Sequence, residues 1–440
     1  TKQSPEYLKW VLSGVAMVLV VLGVISNLFS IMAFVFCAGV ILFCNRLDTL
    51  VLMVFLMPFS NIFKLSPTDQ SFYTYLMIFY VAVSILKAGR LNKGFFFSLL
   101  VMISFVVLQF LMSMNVLRTI KYLINLVFIY LAFCNTEPEN YKDFFWGYIT
   151  GMSTASLLVL SNWLPRMNQY LRLKEMTYEG DALGRFSGMY GDPNYFAVNI
   201  IICLCLLVIL FHKKDIKPLT FLFFTALIGY FVILTYSKSA FLMLVGPVGL
   251  FLYSNIKRKR MLLQLLSLSL IVVLLVNMLA GRIEFLSVIL GRLSSAENIN
   301  ELTTGRIRIW NSYLEELSKL NLHFFIGNGF GAETVVRHFA HNTYIDMLFY
   351  LGLGGIILYV VTLINIWRSA TRRVHKNLLN FGVLIAVMAM YFFLSMLFYF
   401  DMPFHILLAM MAMNMDMTPQ QKHLAQPEMH SVQTPGRSEA

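Results

Sequence analysis

Charge is scarce in this chain. Only 13% of its 440 residues are Asp, Glu, Lys or Arg, against about 25% in soluble domains, and that scarcity excludes a globular cytosolic protein. Nucleotide signatures are missing as well. No Walker A loop, Rossmann fingerprint or HExxH pair occurs, so the sequence offers no site for ATP, a dinucleotide or a protease-type zinc. The energy for any reaction must then come from the substrate or from a gradient. Cysteine is also rare. Cys37, Cys44, Cys134, Cys203 and Cys205 sit in or beside apolar runs, and Cys203-x-Cys205 has neither metal-site nor redox spacing, so these read as small apolar helix residues. The ten-residue alternation of an outer-membrane barrel is absent, which leaves helices as the only spanning structure.

What the chain does have is apolar length. Hydrophobic residues make up 58%, in runs of about 18 or more, enough to cross a hydrocarbon core as helices. The expected fold is an all-α polytopic membrane protein with about 14 transmembrane helices, near residues 9–26, 28–44, 49–65, 72–87, 94–112, 116–134, 143–163, 193–211, 218–235, 239–254, 261–280, 340–366, 377–400 and 402–416. The first two form a tight hairpin around Ser26 and Asn27, and the first is expected to be a retained span, not a cleaved signal. Residues 1–416 read as one integral membrane domain, and 417–440, rich in Gln, Pro and Ser, as a disordered tail.

The net charge of +12 does not mark a nucleic-acid partner, because its cations fall in short connections. Arg46, Lys87/Arg90/Lys93, Lys142, Lys213/Lys214/Lys217, Lys257–Arg260 and Arg368/Arg372/Arg373/Lys376 all lie in alternate connections. By the positive-inside rule that side is cytoplasmic, and with an even span count both termini lie inside. Two long loops, 164–192 and 281–339, then face outward. The larger is expected to hold an amphipathic helix, capped by Thr303 or Thr304, with Ile307, Trp310, Leu314 and Leu317 along one apolar stripe.

Candidate chemistry collects on this outer side. His341 opens a span, where an imidazole near neutral pKa still meets water and can accept a proton from a hydroxyl; spacing alone equally allows an interfacial histidine anchoring a helix end. His338 competes with it, and Arg337, four residues earlier, shares a helix face with His341 if the helix begins that early. No obvious ligand set completes a metal site around the two histidines. Arg185, Arg306 and Arg308 lie in segments dense in Gly, Ser or Thr, and guanidinium forks suit phosphate. Arg306, in the first turn of its helix, is disfavoured by the dipole unless an anion lies nearby. Arg118, Lys121 and Lys238 are cations inside or at the outer ends of spans, either lining a cavity or snorkelling to headgroups. Asp192, in the turn Asp192-Pro193-Asn194, either positions a substrate hydroxyl or caps a helix.

Five stretches in order, RFSGMYGDPNYFA (185–197), TYSKSAF (235–241), TTGRIRIW (303–310), FFIGNGFG (324–331) and HNTYIDMLFYLGLGG (341–355), resemble the O-antigen polymerase and O-antigen ligase superfamily. The resemblance covers 180–370 by motif and the rest by layout. It implies a glycosyltransferase of the bacterial cytoplasmic membrane, working on the outer, periplasmic face. Donor and acceptor would be undecaprenyl-diphosphate-linked glycans, built into O-antigen or capsule, with a chain-length regulator as a possible partner and no cofactor. His341 would correspond to the catalytic histidine and Arg185 and Arg306 to arginines that hold the diphosphate, with Arg308, Lys238, Arg118, Arg337, Asp192, Asn194 and Asn342 around the substrate. Relatives often carry Ser-Arg where this chain has Ser237-Lys238, which keeps the charge and loses the fork. The GDPN turn and the span count favour a polymerase. A ligase delivering glycan to lipid A-core shares the chemistry. A lipid-linked oligosaccharide flippase would explain internal cations, but no internal repeat is evident.

Overall fold

The computed structural model describes residues 5–88, 92–110, 115–164, 166–171, 185–255, 306–319, 322–332, 340–370, 378–397 and 401–415, and every regular element among them is helical. In chain order the helices are α1 (Leu8–Gly23), α2 (Asn27–Phe43), α3 (Arg46–Leu56), α4 (Phe72–Ala88), α5 (Lys93–Phe110), α6 (Val116–Cys134), α7 (Tyr141–Leu160), α8 (Met167–Leu171) and α9 (Pro193–His212). There follow α10 (Pro218–Leu234), α11 (Lys238–Met243), α12 (Val245–Asn255), α13 (Arg306–Ser318), α14 (Leu322–Ile326), α15 (Thr343–Ala370), α16 (Leu378–Met390) and α17 (Asp401–Asn414). Three described helices are long and apolar enough to cross a membrane: Val116–Cys134, Pro193–His212 and Thr343–Ser369. Six shorter ones are apolar without that length.

Most expected spans coincide with helices; three need correction in their limits, and a fourth, 340–366, is interrupted at Gly352. The run 49–65 is α-helical only to Leu56, because Pro58 removes a backbone donor and the chain continues as a 3-10 turn, Met57–Asn61. The run 239–254 divides at Leu244 into α11 and α12. The run 377–400 leaves α16 at Met390, tightens through Tyr391–Phe393, and is extended at Leu394. The expected span 261–280 and tail 417–440 lie outside the described residues.

Two helices form the centre. Along α9 nearly every side chain is buried, and along α17 every one is, so both are enclosed all round, as a bundle's inner helices are. Around them α7 meets α3 through Gly147-x-x-x-Gly151. A Cβ at Gly147 would stand 2.8 Å from Val54 Cγ1, and one at Gly151 would strike the Phe55 carbonyl. Small residues four apart let the two backbones touch, which substitutes for the hydrophobic drive that lipid cannot supply.

The core is stitched by one polar network. Asn199 Oδ1 accepts from Tyr148 Oη at 2.8 Å and from His405 Nε2 at 2.8 Å; Tyr391 Oη lies 3.3 Å from His405 Nδ1; and Asn199 Nδ2 donates to Tyr195 O at 3.0 Å. The network joins α7, α9, α17 and the turn after α16. Replacing Asn199 by leucine takes the side-chain acceptor from His405 and leaves Tyr148 Oη only the residue-199 carbonyl at 3.4 Å, and is predicted to cost about 1–3 kcal/mol. Thermal unfolding in detergent measures this, and an unchanged midpoint would contradict it.

Helix α15 is broken. Gly352 has φ 66° and ψ 176°, a region essentially reserved for glycine. The break exposes the carbonyls of Phe349, Tyr350 and Leu351. The loop after α14 satisfies them: Asn328 N and Nδ2 donate to Phe349 O at 2.9 and 3.1 Å, and Gly329 N to Tyr350 O at 3.1 Å. From α5, Gln109 Nε2 adds bonds to Tyr350 O (3.1 Å), Leu351 O (3.2 Å) and Ile326 O. The FFIGNGFG stretch is therefore the cap of a half-helix. Non-helical backbone at membrane depth survives only when protein completes its hydrogen bonds this way.

Candidate active site

The first stretch folds as a turn onto the N-terminus of α9. Gly188 and Gly191 take φ of 51° and 70°, and the turn delivers Asp192 to the cap position. There Asp192 Oδ1 accepts from Asn194 N at 2.7 Å and Tyr195 N at 3.2 Å. So Asp192 is a helix cap, the second of the two roles its sequence allowed. Tyr190 Oη donates to Asp401 Oδ1 at 3.1 Å, tying the turn to α17.

Arg185 is held against the end of α10. Its Nε donates to Thr235 O at 3.1 Å, and Phe186 N to Leu234 O at 3.0 Å. Asn194 joins this to the second stretch: its Oδ1 receives Ser237 Oγ at 2.7 Å, Ser239 Oγ at 3.2 Å and Arg185 Nη2 at 3.4 Å. Ser237 also caps α11 through Ala240 N, which puts Lys238 at the first residue of that helix. RFSGMYGDPN and TYSKS are thus one hydrogen-bonded unit, and Asn194 is its hub.

The third stretch comes to the same place. Arg306 begins α13. Burial pushes its guanidinium below the usual range; the Asp192 carboxylate and the Tyr195 hydroxyl act against that, and the Arg185 charge adds to it. Two guanidinium groups in one electrostatic neighbourhood, with a carboxylate already committed to capping, favour an added anion. Arg308 lies on the exposed side of α13.

One turn beyond Arg306, on the same helix face, Trp310 Nε1 donates to Ala340 O at 2.7 Å. Tyr313 follows, fully buried, its ring edge-on to Phe349 at 5.0 Å. The inward line of α13 is therefore Trp310–Tyr313–Leu317, of which Tyr313 and Leu317 are buried and Trp310 partly so. Leu314, expected in the stripe, is 50% exposed. The aromatic contact and the indole bond turn the helix away from a purely aliphatic seat. The expected cap, Thr303 or Thr304, lies outside the described residues.

That indole bond brings in the fifth stretch. Asn342 caps α15, its Oδ1 accepting from Tyr344 N at 3.0 Å and Ile345 N at 3.3 Å. His341 precedes the cap with φ 49°, so it does not ride on α15, which starts at Thr343. Ala340 and Asn342 are buried, while His341 between them is partly exposed. Asp346, which the sequence reading passed over, is 1% exposed and accepts Ala340 N at 3.3 Å. Its signal was a carboxylate inside an apolar run. Arg306 and Trp310 are four residues apart, about 6 Å along the helix axis, so α13 spans from the arginine pair to the histidine turn.

Other candidates stand apart. Arg118 Nη1 donates to Phe330 O at 3.3 Å, and so belongs with the glycine loop. Lys121 Nζ reaches Gln70 Oε1 at 3.4 Å. Arg337 and His338 lie outside the described residues. Among the described residues no group of His, Cys, Asp and Glu has metal-site geometry.

Residues 221–360 match the family model described as O-antigen ligase, Wzy_C. The match runs from α10 through the break in α15 and includes Ser237, Arg306 and His341. No curated protein and no solved structure matches the chain.

Proposed function

We infer, from a chain whose residues 221–360 match the family model described as O-antigen ligase, that it polymerises undecaprenyl-diphosphate-linked repeat units on the outer face of the cytoplasmic membrane. The family supports ligase- or polymerase-like glycosyl transfer in general; the choice of polymerase is our reading. The observation that carries it is the convergence of Arg185 and Arg306 at the capped end of α9, with α13 fastened one turn later to the His341 turn.

The chemistry follows from those groups. A lipid diphosphate is a good leaving group, and two guanidinium ions stabilise the charge that grows on it. The acceptor sugar hydroxyl attacks the anomeric carbon, His341 takes its proton, the bond to the diphosphate breaks, and the anomeric centre inverts. Lys238, on the helix capped by Ser237, is a further cation for the leaving group. The turn GDPN and the many apolar segments favour a second lipid-linked repeat as acceptor. The family's description favours the alternative, delivery to lipid A-core.

Purified protein given lipid-linked repeats decides between them. A ladder retained on undecaprenyl diphosphate supports the polymerase. Transfer only when lipid A-core is added would replace it with the ligase. For the diphosphate role, Arg306→Ala is predicted to raise the donor KM about 10- to 100-fold, the loss of one charge-assisted contact, with Arg306→Lys recovering part of it. Undiminished donor binding in Arg306→Ala removes this role.

A further inference from the structure

We propose that Asp346 is a positioning residue for His341, an inference that rests on His341 being the base. A carboxylate 1% exposed within an apolar bundle is costly unless it is used. Helix capping does not explain it, because Asn342 already supplies the cap to α15. Ala340 N donates to Asp346 Oδ1, a bond that reaches back across His341. The other Asp346 oxygen is buried and faces the Ser395 hydroxyl on the chain after α16.

Ala340 is consequently held at both polar groups. Asp346 takes its N–H, and Trp310 of α13 gives to its C=O. On the far side Asn342 is fixed by its cap bonds, and Thr343 is fixed to the chain after α16 through Leu394 O at 2.6 Å and Met396 N at 3.0 Å. His341 alone in this stretch takes a left-handed backbone, which a β-carbon disfavours and which persists only where the surroundings over-determine it. The clamp on Ala340 is that surrounding. With the Asp346 bond gone, residue 341 relaxes toward negative φ and the imidazole leaves the acceptor hydroxyl. A displacement of about 1 Å is enough to cost a hundredfold in rate.

The experiment uses the full-length purified protein and the source cell's own lipid-linked repeat, extracted from a strain lacking this chain. Asp346→Ala should lower kcat about 100-fold with donor KM little changed. Asp346→Asn, which keeps an oxygen for Ala340 N–H, should recover most of kcat. If Asp346→Ala does not fold, Trp310→Phe releases Ala340 from the opposite side while keeping an aromatic ring, and it should show the same kcat-only loss. Wild-type kcat in Asp346→Ala, or in Trp310→Phe where only that variant folds, overturns the proposal. So does an Asp346→Asn variant as slow as Asp346→Ala. The underlying reading fails separately: an active His341→Asn enzyme removes the base, whatever Asp346 does.

Discussion

Replacing His341 by asparagine should lower the turnover of lipid-linked repeats by about 10²- to 10⁴-fold, the usual share of a general base, while donor binding stays near its normal value. Asparagine is the informative choice because of the backbone. His341 sits at φ 49°, and asparagine accepts that left-handed conformation better than most side chains. The turn between Ala340 and the Asn342 cap should then keep its shape, and the Trp310 bond to Ala340 O should survive. What asparagine cannot do is take a proton near neutral pH. The loss should therefore fall on kcat, a sign of an interaction made in the transition state and not in the ground state. Glycine at the same position, freer still at positive φ, should be as slow. If either variant extends chains at the normal rate in a purified assay, the base assignment is wrong.

The second large effect concerns folding. Gly352→Ala should abolish recovery of folded protein. An added Cβ would collide with Gly327 N and lie 2.6 Å from Phe325 O, both of them backbone atoms that cannot swing aside. The φ 66°, ψ 176° conformation adds strain for any residue with a Cβ, on the order of 1–3 kcal/mol before the collision is counted. Gly327→Ala should behave alike, since its Cβ would strike Tyr350 O and lie 2.6 Å from Leu351 C. Gly14→Ala and Gly39→Ala are the controls: both glycines are helical, and a Cβ there meets nothing within 4 Å. Size-exclusion profiles and thermal unfolding in detergent should show the controls at or slightly above the parent and the pair aggregated. A monodisperse Gly352→Ala protein with the parent's melting point would mean that the capping loop does not govern this fold.

Much of the helical layout was legible because apolar run length is a strong signal. Val116–Cys134 coincides with its expected limits, and Pro193–His212 differs by one residue. Failures came where a local event interrupts a run that stays apolar: Pro58, the division at Leu244, the turn at Tyr391. Hydropathy is blind to these because lipid-like composition continues through them. The site was legible only in part, for a similar reason. Motif order pointed to Arg185, Arg306 and His341, but not to which polar side chains serve the scaffold. Asp192, Asn194 and Asn342 looked available for substrate, and each has an oxygen committed to capping or cross-linking. Trp310 was assigned to an apolar stripe, and its N–H proved to be the tether between α13 and the histidine turn. The left-handed state of His341 had no sequence mark, since histidine is enriched there too weakly to single out one position.

The interruption at Gly352 also bears on how the molecule meets bilayers of different thickness. An unbroken helix from Thr343 to Ala370 would carry any tilt, imposed by a thin or thick hydrocarbon layer, straight into the residues beside His341. With the break, a tilt of 353–370 need not pass into 343–351, whose end is pinned by Asn328, Gly329 and Gln109. Residues 353–370 still keep protein contacts of their own, with Tyr359 and Ile366 buried. Turnover in vesicles of short- and long-chain phosphatidylglycerol should accordingly differ little, and a steep dependence on acyl length would show that the two halves move as one.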